Sequence, residues 1–392
     1  MGFGLPLRGD LAGVEPYGAV MPPAAVRLNV NENPYAPPPQ VRRELSDAVA
    51  HLAGELNRYP DQEFLALRGA LAEYLGREAD APWLTARHMW AGNGSNEVML
   101  HVFQAFGGPG RTAMSLDPTY SMYPHYARDT HTGWVTAPRR SDFRLDLPAA
   151  LETIDSAKPS IVLLASPNNP TGTALQLDEV EALAQATLRP DGQAQAVVVI
   201  DEAYAEFRRP GTPSAVPLVA QYPHLAVTRT MSKAFAWAGV RLGYMAASAE
   251  LTDALRLVRL PYHLSALTQA AGLVALRQAD ALLAAVAQLR QARDQLVRDL
   301  QRRINPATGR NLDVAESDAN FVLFGRFADR HAMWEQMAGL GVAVRETGPD
   351  GWLRVSVGTP QDNAAFLTAL DQAMEAQQPP AMSSTPPPTG GS

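Results

Sequence analysis

Residues Thr230 to Tyr244 read TMSKAFAWAGVRLGY and hold Lys233, one of only two lysines in a chain of 392 residues. The other 31 basic residues are arginine. Arginine supplies positive charge almost anywhere, but its guanidinium stays protonated and cannot act as an amine nucleophile or form a Schiff base. A chain that uses arginine for nearly all its positive charge has kept one lysine between a β-branched apolar run and a run of small residues. That placement points to amine chemistry at Lys233, against the plainer reading of a surface charge. Thr230 and Ser232 precede it and Arg241 follows, a set of hydroxyls and a guanidinium suited to the phosphate of a carrier bonded to the lysine.

Outward from this stretch, short apolar runs recur: His88–Ala91, Thr112–Leu116, Gly133–Ala137, Ser160–Ala165, Ala196–Ile200, Leu225–Thr230 and Val240–Ala246. Most are separated by segments long enough for a helix. This rhythm predicts an α/β fold with a mostly parallel seven-stranded sheet covered by helices on both faces. Upstream, residues 1–40 read as an extended, Pro- and Gly-rich arm with one short strand near Arg27, and Glu63–Leu75 as a helix. From Ser265 the spacing of Leu282, Val286, Leu289, Leu296 and Leu300 predicts one long helix. Asn320–Phe324 and Trp352–Val357 read as strands and Ala364–Ala376 as a closing helix, making a smaller α+β unit. The expected organisation is an arm (1–40), a large domain (41–265), a connecting helix with a small domain (266–376) and a disordered tail (377–392).

In such sheets ligands sit beyond the carboxyl ends of the strands. After the first run, Gly92–Glu97 reads GNGSNE and opens a helix, so Gly94, Ser95 and Asn96 offer a phosphate site or an ordinary loop capped by Ser95 or Asn96. After the second, Tyr120 could stack on a planar ligand or simply pack. After the fourth, SPNNPTG carries Asn169, whose amide could meet a ligand oxygen. After the fifth comes Asp201, which reads either as a helix cap or as a carboxylate holding a proton on a ring nitrogen, with Glu202 and Tyr204 following as DEAY. An amine, an acid, an aromatic face, an amide and a phosphate cradle at successive strand ends together suit pyridoxal 5'-phosphate.

The composition narrows the alternatives. With no cysteine, thiolate catalysis, disulfides and cysteine-ligated metals are excluded. No metal site is expected. A formal net charge of −7 without a basic block argues against nucleic acid or an anionic membrane as partner. No secretory signal or membrane-spanning stretch is legible, which suggests the cytoplasm.

The pieces NENPY, RYP (Arg58–Pro60), SPNNPTG, DEAY, MSKAFAWAGVRLGY and RVSVGT (Arg354–Thr359) resemble the fold-type I, PLP-dependent aminotransferases, and among them the histidinol-phosphate branch. The resemblance runs from about Tyr17 to Ala376. It implies Lys233 as the Schiff-base lysine, Asp201 at the ring nitrogen, Asn169 and Tyr204 at the phenolic oxygen and Tyr120 on the ring face. It gives the cofactor phosphate to Ser232, Arg241 and the backbone of Gly94–Asn96, with Tyr59 reaching the neighbouring subunit of a homodimer with shared active sites. Arg354 is implied for a carboxylate and Arg345 for the substrate phosphate, while Tyr17 and Asn33 match substrate-side positions less closely. Arg27 departs from the lysine common before NENPY. The activity implied is transamination between histidinol phosphate and 2-oxoglutarate, yielding imidazole acetol phosphate and glutamate in histidine biosynthesis. An aromatic amino-acid aminotransferase and a PLP-dependent decarboxylase of a phosphorylated amino acid share the same features. A regulator would need a DNA-binding domain, for which the residues before NENPY leave no room.

Overall fold

A computed structural model of the chain describes residues 6–16, 18 and 22–377. Tyr17 and nearly all of the expected tail lie outside the described residues. The strands are β1 (Val26–Arg27), β2 (Met89–Asn93), β3 (Thr112–Asp117), β4 (Gly133–Pro138), β5 (Ile161–Ala165), β6 (Val197–Asp201), β7 (Leu225–Thr230) and β8 (Leu242–Ala246). After a helical stretch come β9 (Asp313–Val314), β10 (Phe321–Gly325), β11 (Val342–Ala343), β12 (Arg345–Glu346) and β13 (Trp352–Ser356).

The seven expected runs form one sheet in the order β2-β8-β7-β6-β5-β3-β4. Six strands run parallel and β8 runs against them. All five residues of β5 and of β6 are buried, which is why these strands read as unbroken apolar runs rather than alternating ones. Because the central strands are parallel, their carboxyl ends open on one edge, and every motif that follows a strand is delivered there.

A second sheet, β12-β13-β10-β9, is antiparallel and has its own core around Phe324, Leu353, Phe366 and Leu370. The arm belongs with it: β1 pairs with β11 in parallel and Leu28 enters this core. The closing helix starts at Pro360, four residues before the expected Ala364, because Thr359 and Asp362 form a capping box ahead of a proline in the first turn.

The expected long helix from Ser265 is instead three helices, Ala266–Arg277, Ala279–Leu283 and Val286–Gln301. The first and the last two are bent by 78° at the break. Helix 266–277 packs on helices Pro39–Ala53 and Leu65–Glu78, whereas 286–301 packs on β10 and on Ala205–Phe207. A straight rod cannot serve both surfaces, although the predicted stripe of Leu282, Val286, Leu289, Leu296 and Leu300 is buried throughout. Among the described residues no single helix is long and apolar enough to cross a membrane.

Behind the strand ends lies a buried ionic cluster. The side chain of Arg229 on β7 is fully buried and meets Glu202 at 2.7 Å, Glu78 at 2.9 Å and Glu206 at 3.0 Å. Burial opposes its charge, but the three carboxylates outweigh burial and hold its pKa well above the usual value. The cluster joins Arg229, one residue before Thr230 on β7, to Glu202, one residue past Asp201 at the end of β6. Removing only the arginine would leave buried acids without their cation, a change that typically costs about 3–5 kcal/mol. Arg229→Leu is therefore expected to lower the urea midpoint sharply, and a wild-type midpoint would remove the cluster from the account of stability.

Candidate active site

Beyond the carboxyl ends of the large sheet lies a cavity of about 310 Å³. The turns after β2, β3 and β5 contribute Ser95, Asn96, Tyr120, Tyr123 and Asn169. The ends of β6 and β7 contribute Asp201, Tyr204, Thr230, Ser232 and Lys233, with Arg241 from the turn into β8. The second sheet adds Arg345 and Arg354, and the arm adds Asn29, Asn31 and Glu32. Residues spread over more than three hundred positions thus meet in one hollow between the two sheets.

Lys233 lies between protein walls and donates to the Val30 carbonyl at 3.2 Å. Burial is the main cause that pulls its pKa down, to about 8, and Arg354 and Arg241 add to the pull while Glu32 opposes it. It makes no ion pair among the described residues, so a substantial share of its amine is neutral near pH 8.

Asp201 ends β6 and is held by three donors. Tyr123 Oη donates to Oδ2 at 2.8 Å, while Thr228 Oγ1 and the Ala203 N–H each donate to Oδ1 at 3.2 Å. Burial pushes its pKa up and these hydrogen bonds pull against it. Among the described residues the acid has no cationic partner, so a cationic donor arriving in the cavity would meet a ready counter-charge.

The turn between β2 and helix Ser95–Phe106 forms the anion end. The helix N-cap is Gly94 at φ 83°, with no side-chain cap, so the expected capping by Ser95 or Asn96 is not made. Both residues line the cavity instead, beside first-turn N–H groups that lack intrahelical acceptors. A Cβ on Gly94 would lie 2.5 Å from Arg241 Nη2, so the absence of a side chain there lets the guanidinium reach the loop. A Cβ on Gly243 would lie 2.1 Å from Ser95 N, so β8 and the loop pack backbone to backbone. Arg241 donates to Ser232 Oγ at 3.4 Å and Ala238 O at 3.0 Å. Thr230 Oγ1 donates towards Ser232 Oγ at 3.1 Å and accepts from the Ser232 N–H at 3.2 Å, which fixes the turn that presents Lys233.

At the other end, Arg345 and Arg354 stand directly opposite each other on antiparallel β12 and β13. Like charges in such pairs repel, and a bound anion between them would relieve that repulsion. Arg354 donates to Asn169 Oδ1 and, at 2.9 Å, to the Asn29 carbonyl. Since Asn169 accepts through Oδ1, its Nδ2 remains available as a donor. Asn31 Nδ2 donates to Tyr204 Oη at 3.0 Å.

Three predicted residues do not line the cavity. Gly94 shapes the loop behind it. Asn33 ties the arm down, donating to Ala234 O at 3.1 Å and accepting from the Tyr35 N–H at 3.0 Å. Tyr59 is 80% exposed and stacks on Tyr262 at 4.4 Å. Tyr17 lies outside the described residues. Sequence reasoning missed Tyr123, although it follows Tyr120 within the same DPTYSMYP motif. It also missed Asn31, whose φ of 57° suits asparagine, and Glu32 beside it.

The chemistry of this donor set is that of an aminotransferase site, and the family of class I and II aminotransferases matches residues 23–370. The chain belongs to that family. It is 55% identical over 366 residues to the histidinol-phosphate aminotransferase of Thermobifida fusca, covering 93% of this chain and 95% of the relative. The histidinol-phosphate aminotransferase of Bifidobacterium longum is 52% identical over 376 residues, covering 94% and 97%. The crystal structure of the Sinorhizobium meliloti histidinol-phosphate aminotransferase in complex with pyridoxal-5'-phosphate aligns with a TM-score of 0.80 at 22% identity, covering 96% of this chain and 99% of that one. At that identity the likeness establishes a shared fold, that of the fold-type I aminotransferases, and the family membership rests on the closer relatives.

Proposed function

We propose that this aminotransferase transfers the amino group of L-histidinol phosphate to 2-oxoglutarate, giving imidazole acetol phosphate and glutamate, with pyridoxal 5'-phosphate as cofactor. The observation that carries the reading is one cavity with a partly neutral amine, a buried acid and two separate cationic ends.

The residues present fit the cofactor. Lys233 would attach it through its aldehyde carbon, and Asp201 would hold a proton at its ring nitrogen. Asn169 Nδ2 and the Tyr204 hydroxyl would donate to its phenolic oxygen, and Tyr120 would cover a ring face. Ser95 and Asn96, on the turn shaped by Gly94, would hold its phosphate together with Thr230, Ser232 and Arg241. When bound, the cofactor supplies an electron sink and carries the amino group between the two half-reactions. Lys233 Nζ would take the proton from the substrate carbon, and its lowered pKa suits that work near neutral pH.

Arg354 is assigned to the carboxylates of the 2-oxoglutarate and glutamate half-reaction, and Arg345 together with Arg354 to the phosphate of histidinol phosphate. One site must accept phosphate in one half-reaction and carboxylate in the other, and a guanidinium pairs with either. Residues 41–265 hold the cofactor in this reading, and 266–376 with the arm close over it.

The same reading makes the protein a cytoplasmic homodimer with shared active sites, with no call for nucleic acid or membrane. Tyr59 supports the dimer: it does not line its own chain's cavity and stacks on Tyr262, and Leu257 and Leu260, close in sequence to Tyr262, are exposed at 85% and 74%. Tyr59 would reach the cofactor phosphate of the partner.

Steady-state kinetics with histidinol phosphate, phenylalanine and tyrosine as competing donors test the substrate. Charge-assisted hydrogen bonds contribute about 1.5–3 kcal/mol each, so Arg345→Ala is expected to lower kcat/KM for histidinol phosphate by about one to two powers of ten. Phenylalanine, whose only anion is its carboxylate, loses much less. Arg354→Ala damages both donors and the 2-oxoglutarate half-reaction. Equal losses for phosphorylated and aromatic donors in Arg345→Ala would shift the reading to an aromatic aminotransferase.

A further inference from the structure

We infer that Glu32 is a specificity-determining residue that accepts the ring N–H of the substrate's imidazole, an inference that rests on the reading of histidinol phosphate as substrate.

The substrate brings three recognisable groups into the cavity: an amine, a phosphate and an imidazole. The amine is drawn to the Lys233 end and the phosphate to Arg345 and Arg354. The imidazole still needs an acceptor, since a site that desolvates a ring N–H without one loses most of its selectivity for it. Among the described residues lining the cavity, the carboxylates are Asp201 and Glu32. Asp201 already accepts from Tyr123, Thr228 and Ala203 at the floor. Glu32 has no hydrogen bond or ion pair among the described residues and stands exposed on the cavity wall.

Its neighbours keep it there. Asn31 is bound on several sides: its Nδ2 donates to Tyr204 Oη at 3.0 Å, its Oδ1 accepts from Ser356 Oγ at 3.0 Å and its carbonyl accepts from Asn320 Nδ2 at 3.1 Å. Asn33 is tied to Ala234 on the other side. A free carboxylate between two anchored residues is presented, not merely solvated. Its charge is felt at Lys233, where it works against Arg354 and Arg241, which places it close to where the amine reacts.

A lone acid in a site built for anions also has a cost. It repels the carboxylates of 2-oxoglutarate, so it is useful only for a substrate that brings a donor. Loss of Glu32 therefore acts with opposite signs on the two half-reactions, which a structural role cannot do.

The test compares Glu32→Ala with wild type as cofactor-loaded enzyme on histidinol phosphate and on phenylalaninol phosphate, which keeps the amine and phosphate but has no ring N–H. Glu32→Ala is expected to lower kcat/KM for histidinol phosphate by about 10- to 100-fold, the worth of one hydrogen bond to a charged group. Phenylalaninol phosphate stays within about threefold, and the KM for 2-oxoglutarate falls. Glu32→Gln, which keeps a neutral acceptor, falls between. An unchanged thermal midpoint shows that the exposed substitution leaves the fold intact. Equal losses on the two phosphates, or no loss on histidinol phosphate, overturns the role of Glu32 and leaves the substrate reading standing. A wild-type enzyme inert on histidinol phosphate overturns both.

Discussion

Lys233→Ala is expected to abolish measurable transamination while leaving the cofactor-free fold at least as stable as wild type at neutral pH. Loss of a positioned general base alone lowers turnover by about 10²–10⁴-fold, and in the proposed function Lys233 would also be the covalent anchor. The stability half follows from its pKa. Burial lowers the folded-state value to about 8, below the ordinary lysine value. Below pH 8 the amine is protonated in both folded and unfolded chains, and the fold bears the cost of a desolvated charge. Between about 8 and the ordinary lysine value the folded chain has shed the proton and the unfolded chain has not, so stability rises with pH across that window. Alanine removes this cost, so the variant's advantage should be present at neutral pH and vanish in strong alkali. Borohydride reduction of the loaded wild type followed by peptide mapping should label Lys233 and leave Lys158 bare. Lys158 lies at the exposed end of helix Leu147–Ala157, in an ion pair with Asp155. Label on Lys158 alone, or wild-type turnover in the alanine variant, would falsify the assignment.

The place of Lys233 in the cavity was legible because the chain holds only one other lysine and keeps this one at a strand end. The central strands were legible for a comparable reason: parallel strands buried on both faces leave few positions for polar residues, so Ile161–Ala165 and Val197–Ile200 read as what they are. What stayed hidden depends on pairing across the fold. Nothing local marks Arg345 and Arg354 as facing each other, since that follows from the register of β12 on β13. Nothing marks the break after Arg277, because no glycine or proline lies there and the stripe continues through it; the helix bends because its two ends pack on different bodies. Tyr123 was passed over because its partner, Asp201, is 78 residues away. Asn31 was passed over because a short asparagine in an arm reads as a turn until Tyr204, Ser356 and Asn320 are seen around it.

Asp201→Asn is expected to retain cofactor binding and lose most of the turnover. Asparagine matches aspartate in size, and its Oδ1 can still accept from the Ala203 N–H and Thr228, so the end of β6 need not move. The phenol of Tyr123, which donates to Oδ2 at 2.8 Å, would meet an amide nitrogen and turn to accept. The local network survives, and only the negative charge that would hold a proton at the ring nitrogen is gone. Removing one preorganised charge-stabilising group costs about 10²–10³ in kcat, and single-turnover rates in both half-reactions should fall by at least that much. Tyr123→Phe gives the graded version. The phenol is one of the donors that hold Asp201's pKa down against burial, so its removal lets that pKa rise. Asp201 then takes up its own proton at a higher pH, and the acid limb of the kcat profile moves upward while the plateau changes less. Thr228→Val should move the limb the same way. An acid limb that stays fixed in both variants, or an asparagine variant with wild-type single-turnover rates, would leave Asp201 as a structural end to β6 and no more.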